Sequence, residues 1–291
     1  MAIIRIGMSG WTFPGWRGRF YPKKLAQKKE LEYASRQVTS IEINGTFYSL
    51  QKPSTFQSWY DQTPDDFIFA VKGPQFITHV LRLKDCREPL CSFLASGLLC
   101  LKQKLGPILW QFPPTVTLKD DRFEKFVKLL PHNSLHAAEL SKDHNPRFAN
   151  RVWTEAGGNY PVRHAFEFRH PSFQNKDFIE MLKAHGVAIV VADSAAKSPY
   201  MEDLTADFVY IRMEGDGPTF KKGYTDSALK RMAQKIKTWL KGDQVKKPKC
   251  VSDGKPYRGE KDIFLYFNND AKLYAPMDAL RMIQLMKKKR D

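Results

Sequence analysis

Short apolar runs of four to six residues alternate with longer, helically spaced stretches from one end of this chain to the other. Strands joined through helices run parallel, so the repeat specifies an α/β fold built on a parallel sheet. The runs are Ile3 to Met8, Thr39 to Ile43, Phe67 to Val71, Ile108 to Gln111, Arg163 to Phe168, Val187 to Ala192, Phe208 to Arg212 and Ile263 to Phe267. Eight is the number that closes a TIM-type barrel of ~250 residues. The expected fold is a single-domain (β/α)8 TIM-type barrel over residues 1–291.

Between the runs lie helix patterns. Thr225 to Leu240 carries a threonine cap and a stripe of Leu229, Met232, Ile236 and Trp239. Asn175 opens another helix, which Gly186 closes. His132 to Tyr160, with Gly157-Gly158, sits where a barrel needs only a connection. It reads as a partly helical insertion between strands four and five. Lys241 to Lys261, rich in Lys, Gly and Pro, reads as a linker into the eighth strand, on the face away from the strand C-termini.

With 42% hydrophobic and 27% charged residues, 17 Gly and 18 Pro, the chain is an ordinary globular one, which excludes disorder, collagen and coiled coil. Arg5 interrupts the start before any apolar stretch long enough for a signal peptide, and the longest apolar run is Val187 to Ala192. The reading is a cytoplasmic protein with no membrane partner. Cys86, Cys91 and Cys100 fall in one apolar helical stretch, on different faces, so three separate free thiols are expected rather than a disulfide or a zinc site.

A barrel does its chemistry at the C-terminal strand ends, and polar residues collect there. The ends read Ser9-Gly10-Trp11, Glu42 and Asn44, Lys72, Gln111, Glu167 and Arg169, Asp193, Arg212 and Glu214, and Asn268-Asn269-Asp270. Three ends carry an i, i+2 pair, which strand alternation aims to one side. Glu42, Glu167, Asp193 and Glu214 oppose Lys72, Arg169 and Arg212, so the set is nearly neutralised from within. Neighbouring strands bring Glu42 beside Lys72, and Glu167 and Asp193 near Arg169 and Arg212. A structural ion network is the competing reading.

At this point a family resemblance emerges. Gly7-Met8-Ser9-Gly10-Trp11, Ile41-Glu42-Ile43-Asn44 with Thr46-Phe47-Tyr48, Trp59 with Thr63-Pro64, Lys72 with Ile77-Thr78-His79, Gln111-Phe112-Pro113-Pro114, Phe166-Glu167-Phe168-Arg169-His170 and Tyr266-Phe267-Asn268-Asn269-Asp270 together resemble the YecE family, the domain of unknown function numbered seventy-two. The resemblance runs from Ile3 to Ile283 and implies a TIM-type barrel related to sugar isomerases and similar barrels. It marks Glu42, Asn44, Lys72, His79, Gln111, Glu167, Arg169, His170, Arg212 and Asn268 as motif positions. Where members often carry histidine, this chain has Glu214, and its His132 to Tyr160 segment is longer than a member needs.

The leading reading is an enzyme working by proton transfer on an anionic or hydroxylated small molecule such as a sugar or phosphate ester. Glu167 and Asp193 are its acid and base, with Lys72 and Glu42 completing the catalytic set. Arg169 and Arg212 clamp the anion alongside His79, His170, Gln111, Asn44, Asn268 and Trp11. Glu167→Gln is expected to disturb this pocket more than Glu42→Gln. The second reading is nucleic-acid binding: 47 Lys plus Arg against 31 Asp plus Glu leave +16, with Arg17, Arg19, Lys23, Lys24, Arg82, Lys84, Lys221 and Lys222 placed to track phosphates. A non-catalytic ligand-binding barrel is the third. The cofactor is unassigned: imidazole is scarce, so a divalent metal is not favoured, with Glu42, Glu167, Asp193 and His170 its best ligands. The rings of Trp11, Phe13 and Trp16 read better as a plug than as a binding surface.

Overall fold

The computed structural model describes residues 2–194, 198–215, 223–257, 259–268 and 273–287. Eight parallel strands run in sequence order round a closed barrel: β1 (Ile4–Ser9), β2 (Ser40–Ile43), β3 (Ile68–Lys72), β4 (Leu105–Gln111), β5 (His164–Glu167), β6 (Ala188–Asp193), β7 (Phe208–Met213) and β8 (Asp262–Phe267). The expected (β/α)8 architecture is the observed one. By compactness the chain divides into Met1–Glu42 with Gln174–Asp291, and Ile43–Phe173.

In the first unit, β1 lies between β2 and β8, and β7 between β6 and β8. One strand face carries Gly7 beside Ser40 and Tyr266, and Arg212 beside Ala192 and Tyr266. Small residues against large ones let that layer fill. A Cβ on Gly7 would fall 1.7 Å from the Ser40 carbonyl oxygen, so only glycine fits. Outside lie α1 (Glu30–Ala34), α7 (Lys176–Ala184), α8 (Asp226–Trp239) and α9 (Ala275–Lys287). The caps are those the sequence announces: Asn175 Oδ1 accepts from Phe178 N at 2.9 Å, and Thr225 Oγ1 from Ala228 N at 3.2 Å.

The β6 to β7 connection departs from the pattern, since its described residues form no helix. It is pinned to the lysine-rich stretch instead. Glu202 Oε2 accepts from Lys249 N at 2.9 Å, and the two carboxylate oxygens of Asp203 take Val251 N at 2.9 Å and Ser252 N at 3.0 Å. The expected linker is thus an ordered partner of this connection.

The second unit holds α2 (Gly45–Tyr48), α3 (Pro53–Gln62), a π-helical turn (Phe76–Val80), α4 (Arg87–Ala95), α5 (Arg122–Leu129), α6 (Ser134–Ser141) and 3-10 turns at Leu98–Lys104 and Pro146–Arg151. Gly97, at φ +109°, breaks the expected cysteine-bearing helix in two. Cys86, Cys91 and Cys100 are buried free thiols, and burial pushes Cys86 and Cys100 up to about 11. β4 begins three residues before the sequence pattern suggests, because Gly106 and Pro107 dilute its signal. The register shift between Phe69 and Val71 absorbs the irregularity. Among the described residues no helix is long and apolar enough to cross a membrane.

Candidate functional site

The sequence-predicted residues gather into two clusters, one in each unit. In the first unit, β1 and β2 pair Ser9 with Glu42, and β7 presents Tyr210 and Arg212 by alternation on one face. Glu42 is fully buried. Its Oε1 accepts from Ser9 Oγ at 2.6 Å and Arg212 Nη2 at 3.2 Å, and its Oε2 from Tyr210 Oη at 2.7 Å and Arg212 Nε at 3.2 Å. Arg212 Nη1 donates to Glu214 Oε1 at 2.6 Å, which Asn268 Nδ2 approaches at 3.5 Å. Four donors on two oxygens fill the acceptor capacity of Glu42. Burial and the adjacent Glu42 hold the Tyr210 phenol well above its ordinary range. In this cluster Arg212 is 1% exposed and engaged by two carboxylates at once.

Asp193 stands apart from it. β6 pairs Ala192 with Arg212 and Asp193 with Met213, so alternation turns the Asp193 side chain to the face opposite Arg212. The expected proximity of these two residues is corrected accordingly. Asp193 lines a cavity of about 380 Å³ with Ser194, Tyr200 and the α8 residues Arg231 and Lys235. Its carboxylate, after burial itself, raises the Tyr224 phenol.

In the second unit, Lys72 ends β3, Gln111 ends β4 and Glu167 ends β5, with Gln111 and Glu167 in register. Lys72 Nζ donates to Gln111 Oε1 at 2.8 Å, and Gln111 Nε2 donates to Glu167 Oε1 at 2.8 Å. The amide is oriented by its two charged neighbours, oxygen toward the cation and nitrogen toward the carboxylate. Arg169, half-buried, brings Nε within 3.7 Å of Glu167 Oε1. Lys72 Nζ also lies 3.9 Å from the centre of the Phe47 ring, which His79 meets edge-on at 5.1 Å. Burial, and then the charges of Lys72 and Arg169, push His79 down to about 4, so its imidazole is neutral at ordinary pH. Thr78 Oγ1 holds its Nδ1 at 2.8 Å. Asn44 sits at the start of α2 without capping it, and its Oδ1 is buried with no hydrogen-bond partner among the described residues; Arg169 Nε likewise makes no hydrogen bond within them.

Two expected binding residues have structural partners. The Trp11 carbonyl accepts from Tyr21 Oη at 2.6 Å, beside the packed rings of Phe13, Trp16, Phe20 and Tyr21. His170 Nδ1 accepts from Ser172 N at 3.1 Å and so closes the turn Pro171–Phe173. Arg17 Nε is committed to the buried Glu30 at 2.9 Å. Asn269, Asp270, Lys221 and Lys222 lie outside the described residues. Among those described, no three His, Cys, Asp or Glu side chains stand close enough to share a metal ion. Sequence reasoning missed Phe47 as the ring shared by Lys72 and His79. It also missed Tyr210, although the i, i+2 series Tyr210, Arg212, Glu214 carried the signal.

The comparisons with known proteins agree with this architecture. The chain is 25% identical to the UPF0759 protein YunF of Bacillus subtilis over 98% of its own length and 95% of that protein, and 34% identical over 113 residues to the UPF0759 protein YecE of Escherichia coli K12, 39% of each chain. A DUF72 family crystal structure from Thermotoga maritima superposes with a TM-score of 0.72 at 25% identity, covering 98% of this chain and all of that one. One from Enterococcus faecalis gives 0.64 at 15% identity over 99% of each, a likeness of fold. The model of the family described as "Protein of unknown function DUF72" matches residues 5–291, and the chain belongs to that family.

Proposed function

We propose that the second unit binds a small hydroxylated anion, such as a sugar or phosphate ester or a hydroxy acid, and that Glu167 exchanges a proton with it. The observation carrying this reading is a complementary pair of unmet groups. Arg169 Nε, 3.7 Å from Glu167 Oε1, and Asn44 Oδ1 are both buried without a hydrogen-bond partner among the described residues. Buried polar atoms in native proteins are nearly always hydrogen-bonded, and a bound ligand can supply both partners here. An acidic oxygen answers the first and a hydroxyl the second. Gln111 then acts as a positioning residue, holding Glu167 as an acceptor ready to take a proton, while Lys72 orients that amide and adds its charge to the site. Neutral His79 supplies a hydrogen bond rather than a charge. Glu42, Arg212 and Glu214 form the internal scaffold of the first unit, away from this role.

Titration calorimetry with lactate, glycerol 3-phosphate, inorganic phosphate and glycerol tests the reading. The two hydroxylated anions are expected to bind more tightly than either phosphate or glycerol. Arg169→Ala should weaken them about tenfold or more, the loss of a charge-assisted hydrogen bond. Asn44→Ala should erase the preference for a hydroxyl. Equal affinities across the panel, or binding indifferent to Arg169, would sink it.

A further inference from the structure

A groove of about 370 Å³ opens beside this cluster, and its walls come from Phe47, Tyr48, Pro74, Phe76, Val80 and Phe148. Its volume falls within the range of small-molecule sites. The lining is apolar and largely aromatic, and three of its rings or side chains are unusually open for their type: Tyr48 is 72% exposed, Phe76 50% and Val80 63%. Glu88, the acid on its wall, accepts from Ser92 Oγ at 3.3 Å and Asn145 Nδ2 at 3.0 Å.

Phe47 ties the groove to the charged cluster. Its ring is at once a wall of the groove, the surface under the Lys72 ammonium and the edge contact of His79. The backbone reinforces the arrangement. Phe76 and Val80 begin and end a π-helical turn, a rare geometry that recurs at functional sites. The chain leaves that turn through Arg82, Leu83 and Asp85, three non-glycine residues with φ of +51°, +65° and +43°. Leu83 N donates to Ile77 O at 3.1 Å, which fastens this left-handed segment back onto the turn. Such strain persists where surrounding structure fixes it and clusters at binding sites. Phe148, also on the groove's wall, lies in the 3-10 turn Pro146–Arg151, within the 132–160 segment.

We infer that the ligand is a hydroxylated anion bearing an aryl substituent, its acidic head at Arg169 and Lys72 and its ring in the groove between Phe47, Phe76 and Phe148. The inference rests on the function proposed above and extends it to a substrate class. It also gives the 132–160 segment a task, since that segment supplies the groove's Phe148.

Paired calorimetric titrations of lactate and 3-phenyllactate decide it, because the two share a head and differ by a ring. The expected result is phenyllactate binding about tenfold or more tightly than lactate. Phe76→Ser and Phe148→Ser should each remove most of that advantage while leaving lactate affinity unchanged, with thermal unfolding of both variants confirming that they fold. Phenyllactate no tighter than lactate overturns the aryl inference and leaves the head-group reading standing. An advantage that persists in both serine variants overturns it too, since the ring then sits elsewhere. No binding of either acid removes the head-group reading and this inference with it.

Discussion

Glu42 is fully buried and accepts from Ser9, Tyr210 and twice from Arg212, which argues for a larger loss at Glu42 than the sequence alone suggests. Glu42→Gln places an amide donor against a buried guanidinium and a phenol, whereas the partners of Glu167 include the Gln111 amide and the part-exposed Arg169. Breaking a buried, hydrogen-bonded ion pair costs about 3 kcal/mol. The expected outcome is a Tm roughly 6–12 °C lower for Glu42→Gln, with Glu167→Gln closer to the parent. Equal melting temperatures in differential scanning calorimetry would contradict this. His164 makes a second prediction. Its Nδ1 faces Trp110 Nε1 at 3.1 Å and its Nε2 faces Pro131 O at 2.7 Å, so the neutral ring accepts from the indole and donates to the carbonyl. Burial pushes it from 6.5 down to about 3. The folded value lies below the unfolded one, so the unfolded chain takes up the proton first. The stability this residue contributes is complete above pH 6.5 and is lost as pH falls from there toward 3. Urea midpoints measured between pH 8 and 5 should decline below about 6.5, and His164→Gln should flatten the decline.

At the scale of elements, α3 ends on a buried cation that no composition argument anticipates. Lys104 Nζ donates to Tyr60 O at 2.7 Å and Thr63 O at 2.9 Å, adding a charged donor at the negative C-terminal end of the helix. Lys104→Met keeps the stem and removes the donors, and should cost about 2 kcal/mol, read as a lower urea midpoint with unchanged slope. A midpoint equal to the parent's would mean that water replaces the ammonium. The eight strands were legible because each is an apolar run bounded by polar residues. So were the helices capped by Asn175 and Thr225, since a cap is a local contract between a side chain and the next turn. The strand-end residues Lys72, Gln111 and Glu167 were legible as polar ends, but the order of their hydrogen bonds was not. Asp193 was misread because a strand end alone does not say which face the last residue takes, and the pairing of Ala192 with Arg212 decides it. The π-helical turn at Phe76–Val80 and the left-handed residues after it leave little sequence signature, since of Arg82, Leu83 and Asp85 only the aspartate tolerates positive φ readily. Leu83 is held there by burial and by its bond to Ile77 O.

Across the whole chain, a charge of +16 invites a nucleic-acid partner, and the two readings differ in how binding responds to salt. A protein tracking six or more phosphates releases as many counterions and loses ~1000-fold in affinity between low and moderate salt. A small acid held by Arg169 and Lys72 beside Phe47 is screened far less, because the charges lie partly out of water. Arg17, next in sequence to Trp16, spends its Nε on the buried Glu30. Binding of single-stranded and duplex oligonucleotides across a salt series is therefore expected to be weak and shallow in slope, and unchanged when Arg17, Arg19, Lys221 and Lys222 are all replaced by Ala. Lactate affinity over the same series should fall only a few-fold and depend on Arg169. A steep oligonucleotide slope that those four replacements abolish would instead make the basic surface the working one, and would return the Lys72–Gln111–Glu167 chain to a structural role.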